Sequence, residues 1–440
     1  MRKLLVAGLI ALLGTSPAFA GAVSQTVLDN GLTVLAVQSE AASMAGIGLV
    51  IGSSVADEPE DLQGGRALLQ QMMTVDQQDR LAEQLRPVSA VVKGRGSAFA
   101  VNTDWDFVEI SMAVAAEEFS EGLDIVANSV FEVELKQETL DRSIRLVKEA
   151  YDRHHQSPVQ LTFDLFRGSF YGAHPMGRGL YGCPEQFEEI ELADVQRFRD
   201  QHYVSANAWL CVVSPFDPED AIAEVRGSFD HLSSSSPPPE TMHPEVPERS
   251  TVEVGDSRDL VQASMVVGVP LPGYGDPLFH AGEIIAAVLE GPSGRLRRDL
   301  GLLQALGLSI PSRLLEQHYP ISTLPVPTTQ RPYLAIHALC SPRQVERVRT
   351  GLLRHLLALR EGTVTETELE RARKRVINSH RHATDRPTEA ALYLARRAFF
   401  GMGDAEEAIA NIQQVTDEDL SEVARRYFDR HAIGVQMPST

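Results

Sequence analysis

The sequence predicts an α+β fold made of two similar domains, and three observations support this class. Apolar runs typical of strands alternate with long amphipathic helical patterns, such as Glu366 to His382 and Asp417 to Phe428. A stretch rich in Ser and Pro lies near the middle of the chain. On both sides of it the chain opens with an apolar strand, a loop containing Gly, Pro and Asp, and a helix.

The first predicted element is an export signal at residues 1–20. A basic start precedes the apolar run Leu4 to Leu13, and the small residues Ala18 and Ala20 close the segment. This pattern is typical of a cleaved secretory signal, and the run is too short to span a bilayer. We expect an exported chain that begins near Gly21, in the bacterial periplasm, without a membrane span. A signal retained as an anchor and a eukaryotic secretory route are the alternatives.

The Ser/Pro-rich stretch at residues 233–250 is predicted to be an interdomain linker, because it has little to bury. It separates an N-terminal domain at residues 21–232 from a C-terminal domain at residues 251–440, each of ordinary domain size. Similar patterns in the two halves indicate an internal duplication. The matching pairs are the strands Met44 to Gly52 and Ala263 to Val269, the helices Leu62 to Met73 and Leu278 to Leu289, and the helices that begin at Pro218 and Pro342.

Composition limits the partners of the chain. Its 440 residues include 60 acidic and 40 basic side chains, which gives a formal net charge of −20. Such a surface repels phosphate backbones and anionic lipids, so no nucleic-acid partner is expected. Two basic clusters, Arg295 to Arg298 and Glu370 to His382, are interpreted as solvated helix faces, with a docking surface for an acidic partner as the alternative.

Neither the cysteines nor the histidines form a recognisable metal motif. The three cysteines are far apart, and we expect Cys211 and Cys340 to be buried free thiols. His154 and His155 are adjacent, His380 and His382 are two residues apart, and the run from His280 to Glu283 lacks a second His. These histidines are expected to be surface or capping residues, and the chain is expected to bind no metal.

The segment Thr26 to Val37 contains an Asp-Asn-Gly turn between two short strands, which predicts a hairpin. Its sequence LDNGLTVLAV resembles the opening hairpin of the insulinase/pitrilysin family of zinc peptidases, of the mitochondrial-processing-peptidase type. Further segments follow in the family's order, among them IGLVIGSSVADEP, LEGPSGRLRRDL, ELERARKRVINS and VTDEDLSEVARRYF. The resemblance implies that each domain is a largely antiparallel sheet with helices packed on one face, and that the chain forms half of a clamshell.

Active members of this family carry His-x-x-Glu-His on the helix after the first loop, where both His bind zinc and the Glu activates water. Here that helix reads QGGRALLQQMM, which places Ala67, Gln70 and Gln71 at the positions of the first His, the Glu and the second His. None of them can replace the original residue. The third ligand, a Glu, has its one near-match at Glu149, which we interpret as a solvated helix residue. We interpret Gln70 and Gln71 as ordinary polar residues of a helix. The alternative is that they hydrogen-bond the backbone of a bound peptide.

Active members also use an Arg and a Tyr, seven residues apart, to hold substrate in the second domain. Gly301 and Leu308 stand at these positions, unless Arg297 or Arg298 substitutes in a shifted register. The resemblance therefore implies a non-catalytic subunit that pairs with an active zinc peptidase of the same family, helps select peptides, and leaves zinc to that partner. The alternatives are a stand-alone peptide-binding or scaffold protein and a zinc-dependent metalloendopeptidase with an unrecognised site.

Overall fold

The computed structural model describes residues 23–40, 42–75, 77–78, 85–86, 98–234, 236–238, 243–247, 250–257, 260–290, 294–296 and 321–438. The predicted signal peptide and part of the predicted linker lie outside these residues, and the domain boundaries stay a prediction. None of the helices in the described ranges has the length and apolar content that crossing a bilayer requires.

The first sheet has six strands in the order β1-β2-β8-β3-β7-β6. Their bounds are β1 (Ser24–Val27), β2 (Thr33–Gln38), β3 (Met44–Gly52), β6 (Ala98–Thr103), β7 (Phe107–Ala115) and β8 (Ala208–Ser214), and the short strands β4 (Gln77–Gln78) and β5 (Leu85–Arg86) pair separately. All neighbours in the sheet are antiparallel except β2 and β8. The predicted hairpin is confirmed as β1 and β2, and Gly31 in its turn has a φ of 92°.

The second sheet has five strands in the order β11-β12-β10-β13-β9. Their bounds are β9 (Thr251–Ser257), β10 (Ala263–Pro270), β11 (Ile321–Val326), β12 (Tyr333–Cys340) and β13 (Ala432–Pro438). Here too one pair is parallel, β9 with β13, and the other neighbours are antiparallel. The prediction of two similar, largely antiparallel sheets is confirmed.

Twelve α-helices lie in the described ranges. They are α1 (Gly65–Val75), α2 (Phe119–Val130), α3 (Gln137–His155), α4 (Pro158–Tyr171), α5 (Leu192–His202), α6 (Pro218–Phe229), α7 (Phe279–Leu289), α8 (Val345–Ala358), α9 (Glu366–His382), α10 (Pro387–Phe399), α11 (Ala405–Gln414) and α12 (Asp417–Tyr427). All three cysteines are free thiols, and Cys211 and Cys340 are buried as predicted.

The strand orders of the two sheets correspond, and this correspondence tests the predicted duplication. The central strands β3 and β10 match, as do the helices α1 and α7 that follow them, so the first pairs are confirmed. The pairing of the helices at Pro218 and Pro342 is wrong. Strand β12 lies beside β10 as β7 lies beside β3, so the helix after Pro342 corresponds to α2, whereas α6 follows β8. A strand followed by Pro is a local pattern that carries no information about strand order.

Within the described residues, each sheet is covered on one face by helices of its own half and on the other face by one helix of the opposite half. Helix α10 lies on the first sheet, where Ala391 and Leu394 pack against Val50 and Val213. Helix α4 lies on the second sheet, where Phe166 packs among residues of β10 and β12. Successive strand residues face opposite sides of a sheet, so each sheet has two faces to cover. Because each half covers one face of the other half's sheet, the two halves are interlocked.

Candidate functional site

Helix α1 carries the three positions of the zinc motif. Ala67 is buried in the apolar core, and its methyl group has no ligand atom. The side-chain amide of Gln70 donates from Nε2 to the carbonyl oxygen of Val101 at 2.9 Å, and its Oε1 accepts from the Thr103 hydroxyl. Both partners lie on β6, the last strand of the sheet. Gln70 therefore ties α1 to this strand, and Gln71 is half-buried beside it.

The start of α1 is fixed by two buried charged side chains, Glu58 and Arg66. The carboxylate of Glu58 accepts from the backbone N–H groups of Gly64 at 3.0 Å and Arg66 at 2.9 Å. Burial raises the pKa of Glu58, and the charge of Arg66 and these two hydrogen bonds oppose the shift. The Arg66 guanidinium in turn donates to the carbonyl oxygens of Asp104 at 2.5 Å and Phe107 at 3.0 Å. The helix is thereby anchored to the turn between β6 and β7.

The near-match for the third ligand, Glu149, faces solvent. The side chain of Glu149 is 66% exposed and pairs with Arg153 at 3.9 Å. The buried positions of α3 are instead Thr139, Leu140, Ser143 and Val147. A zinc centre needs three protein ligands, and the residues at Ala67, Gln71 and Glu149 do not fit that requirement.

The residues at the Arg and Tyr positions, Gly301 and Leu308, lie outside the described residues, as do Arg297 and Arg298. Arg295 is described and is buried, in contrast to the expected solvated face. Its guanidinium pairs with Glu368 at 2.8 Å and donates to the carbonyl oxygen of Thr363 at 2.6 Å. Arg295 therefore holds α9 in place.

The second half contains a polar cluster that the sequence did not reveal. His280 Nδ1 lies 2.7 Å from Glu283 Oε2 on α7, and His380 Nε2 on α9 lies 3.3 Å from Glu283 Oε1. The expectation that His280 and His380 are surface or capping residues is wrong, since each is only 8% exposed. The spacing of His280 and Glu283 was a visible signal, but the packing of α7 on α9 brings in the second His.

Hydrogen bonding orients the side chains of this cluster and favours the ionised form of Glu283. Burial opposes ionisation of Glu283, but hydrogen bonds from His280 and His380 and their positive charge lower its pKa to about 2. The other ring nitrogen of His380, Nδ1, lies 2.6 Å from the hydroxyl of Tyr393 on α10. The other histidines considered from the sequence lie outside this cluster. His382 and His155 are exposed, and His154 contacts Asp164 at 2.5 Å.

Replacing Gln70 with Ala is expected to destabilise the protein by about 1–2 kcal/mol, because two hydrogen bonds to β6 are lost. Gln71→Ala is the matched control on the same helix and is expected to change stability by less than about 0.5 kcal/mol. Urea denaturation gives both values. Equal effects of the two substitutions would contradict the assigned role of Gln70.

Comparisons with known proteins agree with the fold. Residues 33–184 match the family model described as insulinase (peptidase family M16), and residues 189–376 match the model described as peptidase M16 inactive domain. An uncharacterized zinc protease of Mycobacterium bovis is 23% identical over 427 residues, which cover 94% of this chain and 92% of that protein. The crystal structure of a protease from Helicobacter pylori superposes with a TM-score of 0.83 at 16% identity, covering 95% of this chain and 100% of the other. That of a peptidase M16 inactive domain from Pseudomonas fluorescens gives 0.81 at 16% identity, covering 95% and 98%. The chain belongs to the insulinase family of peptidases, family M16.

Proposed function

We propose that this protein is a non-catalytic member of its family that pairs with an active zinc peptidase of the same family in the bacterial periplasm. In this role it helps to enclose and select the peptide substrates of that partner. The observation that carries the proposal is the chemistry of α1. Ala67 has no ligand atom, and the amide of Gln70 is engaged by β6, so α1 supplies neither the ligands of a catalytic zinc ion nor a carboxylate that could deprotonate water.

The preserved fold supports a role in peptide binding. Strand β6 is the last of the described strands in the first sheet, and along it Ala100 and Asn102 are exposed while Val101 and Thr103 are half-buried. An end strand presents backbone N–H and C=O groups on which an extended peptide can add as a further strand. Gln70 on α1 holds this strand in place through its hydrogen bonds to Val101 and Thr103. A chain that keeps the strand and the helix behind it, but has lost the hydrolytic residues, is suited to hold peptides without cutting them.

The proposal is tested by gentle purification of the mature chain from its own host, followed by native mass spectrometry and a peptidase assay. We expect a heterodimer whose second chain carries an intact His-x-x-Glu-His, and we expect peptide hydrolysis by the complex only. The isolated chain is expected to have no activity with or without added zinc.

Two outcomes would contradict this. A homomer that binds peptides without any peptidase partner would favour a stand-alone binding or scaffold protein. Hydrolysis by the isolated chain that a chelator abolishes would establish a zinc-dependent endopeptidase with a site elsewhere.

A further inference from the structure

One cluster of side chains lies apart from α1 and has no part in the proposed function. Among the described residues, a single group of three His, Cys, Asp or Glu side chains is spaced to hold a metal ion: His280, Glu283 and His380, whose ligand atoms all lie within 4.8 Å of one another. We propose that these residues bind a divalent transition-metal ion such as zinc between α7 and α9.

The distances within the cluster fit such an ion. Tetrahedral zinc with ligand bonds of 2.0–2.1 Å separates neighbouring ligand atoms by about 3.3 Å. Glu283 Oε1 and His380 Nε2 already lie 3.3 Å apart. His280 Nδ1 and Glu283 Oε2 lie 2.7 Å apart, so these two atoms need to separate only slightly to bind the same ion. Two imidazoles and one carboxylate are a donor set that zinc takes in proteins, with a fourth position left for water or another ligand.

A hydrogen bond outside the cluster orients one of the ligands. The Tyr393 hydroxyl, 2.6 Å from His380 Nδ1, directs the opposite nitrogen, Nε2, towards Glu283. Such partners fix the tautomer of a metal-binding imidazole and leave the lone pair of the other nitrogen free.

The cluster is enclosed and yet reachable. The side chains of His280 and His380 are 10% and 9% exposed, whereas that of Glu283 is 24% exposed and leaves an opening to solvent. An ion bound here links α7 to α9 directly and, through Tyr393, to α10, which covers the first sheet. Because the unfolded chain lacks this arrangement, metal binding stabilises the folded state.

The experiment uses the metal-free, full-length mature chain. Titration with Co²⁺ is expected to give one equivalent of visible absorption of the tetrahedral type, which Zn²⁺ then displaces. Excess Zn²⁺ is expected to raise Tm by about 5 °C. The variants His380→Gln and Glu283→Gln are expected to lose the absorption and the shift in Tm. Tyr393→Phe is expected to weaken binding about 10-fold.

The matched control is His382→Gln, because His382 lies on the same helix two residues away and is exposed. This variant is expected to bind Co²⁺ as the wild type does. Circular dichroism verifies the fold of each variant, and His280→Asn replaces any that unfolds. Absence of binding by the folded wild type, or undiminished binding by a folded His380→Gln, would overturn the proposal. The readouts require neither a partner nor peptidase activity, so they fail or succeed independently of the proposed function.

Discussion

At pH 8 the variant Asp106→Asn is expected to be more stable than the wild type by about 1–3 kcal/mol, and the difference is expected to shrink towards pH 5. Asp106 is 2% exposed and joins the two halves of the chain. Its Oδ1 accepts from the backbone N–H of Thr329 at 3.2 Å and from the Thr329 hydroxyl, while Oδ2 has no hydrogen-bond partner among the described residues. A buried carboxylate with one oxygen that accepts no hydrogen bond destabilises the folded state when it is ionised.

The direction of the pH effect follows from the pKa. Burial raises the pKa of Asp106 from 3.8 to about 7, although the hydrogen bonds from Thr329 oppose the shift. Between these values the folded state binds a proton that the unfolded state has lost, so stability falls as the pH rises through this window. The whole shift corresponds to about 4 kcal/mol at most. Asn does not ionise, but its amide nitrogen then replaces the unpartnered oxygen, which reduces the gain.

Urea denaturation at pH 5 and pH 8 measures this difference, because other titrating groups contribute equally to both proteins. Asp61→Asn is the control, since Asp61 is exposed, and we expect it to match the wild type at both pH values. Parallel stability curves for Asp106→Asn and the wild type would show that Asp106 does not change its protonation in this range.

The sequence predicted those features that local patterns determine. The Asp-Asn-Gly turn before Leu32 indicated the opening hairpin, and the spacing of apolar residues indicated α1, α7 and α9. Placing Ala67, Gln70 and Gln71 on one helix required only the helical period. The same reasoning predicted that Glu149 is solvated, since it lies beside Lys148 and one turn from Arg153.

Features that depend on distant contacts were not predicted. Glu283 and His380 are 97 residues apart, and no local pattern relates them. The hydrogen bonds from Gln70 to β6 likewise depend on how α1 lies against the sheet. Hydrophobic periodicity shows that a helix has an apolar face but does not identify the surface that this face covers. For that reason the exchange of α4 and α10 between the halves appears only in the structure.

The exchange depends on glycines that allow a helix backbone to approach a strand. An added Cβ at Gly48 on β3 would lie 2.5 Å from the backbone nitrogen of Leu392 and 2.6 Å from the carbonyl carbon of Ala391, both on α10. At Gly434 on β13 it would lie 2.6 Å from the backbone nitrogen of Phe166 on α4. Real Cβ atoms do not approach backbone this closely, and a backbone cannot rotate away as a side chain can. Glycine is therefore required at both contacts.

Gly48→Ala is accordingly expected to destabilise the protein by about 3 kcal/mol, because α10 must move away from the first sheet. Urea denaturation is expected to show this loss as a lower midpoint, since α10 belongs to the second half and couples it to the first. The control is Gly227→Ala in α6, where an added Cβ meets no described atom within 4 Å, and there a gain of about 0.5–1 kcal/mol is expected. Wild-type stability of Gly48→Ala would mean that α10 does not lie closely against β3 at Gly48.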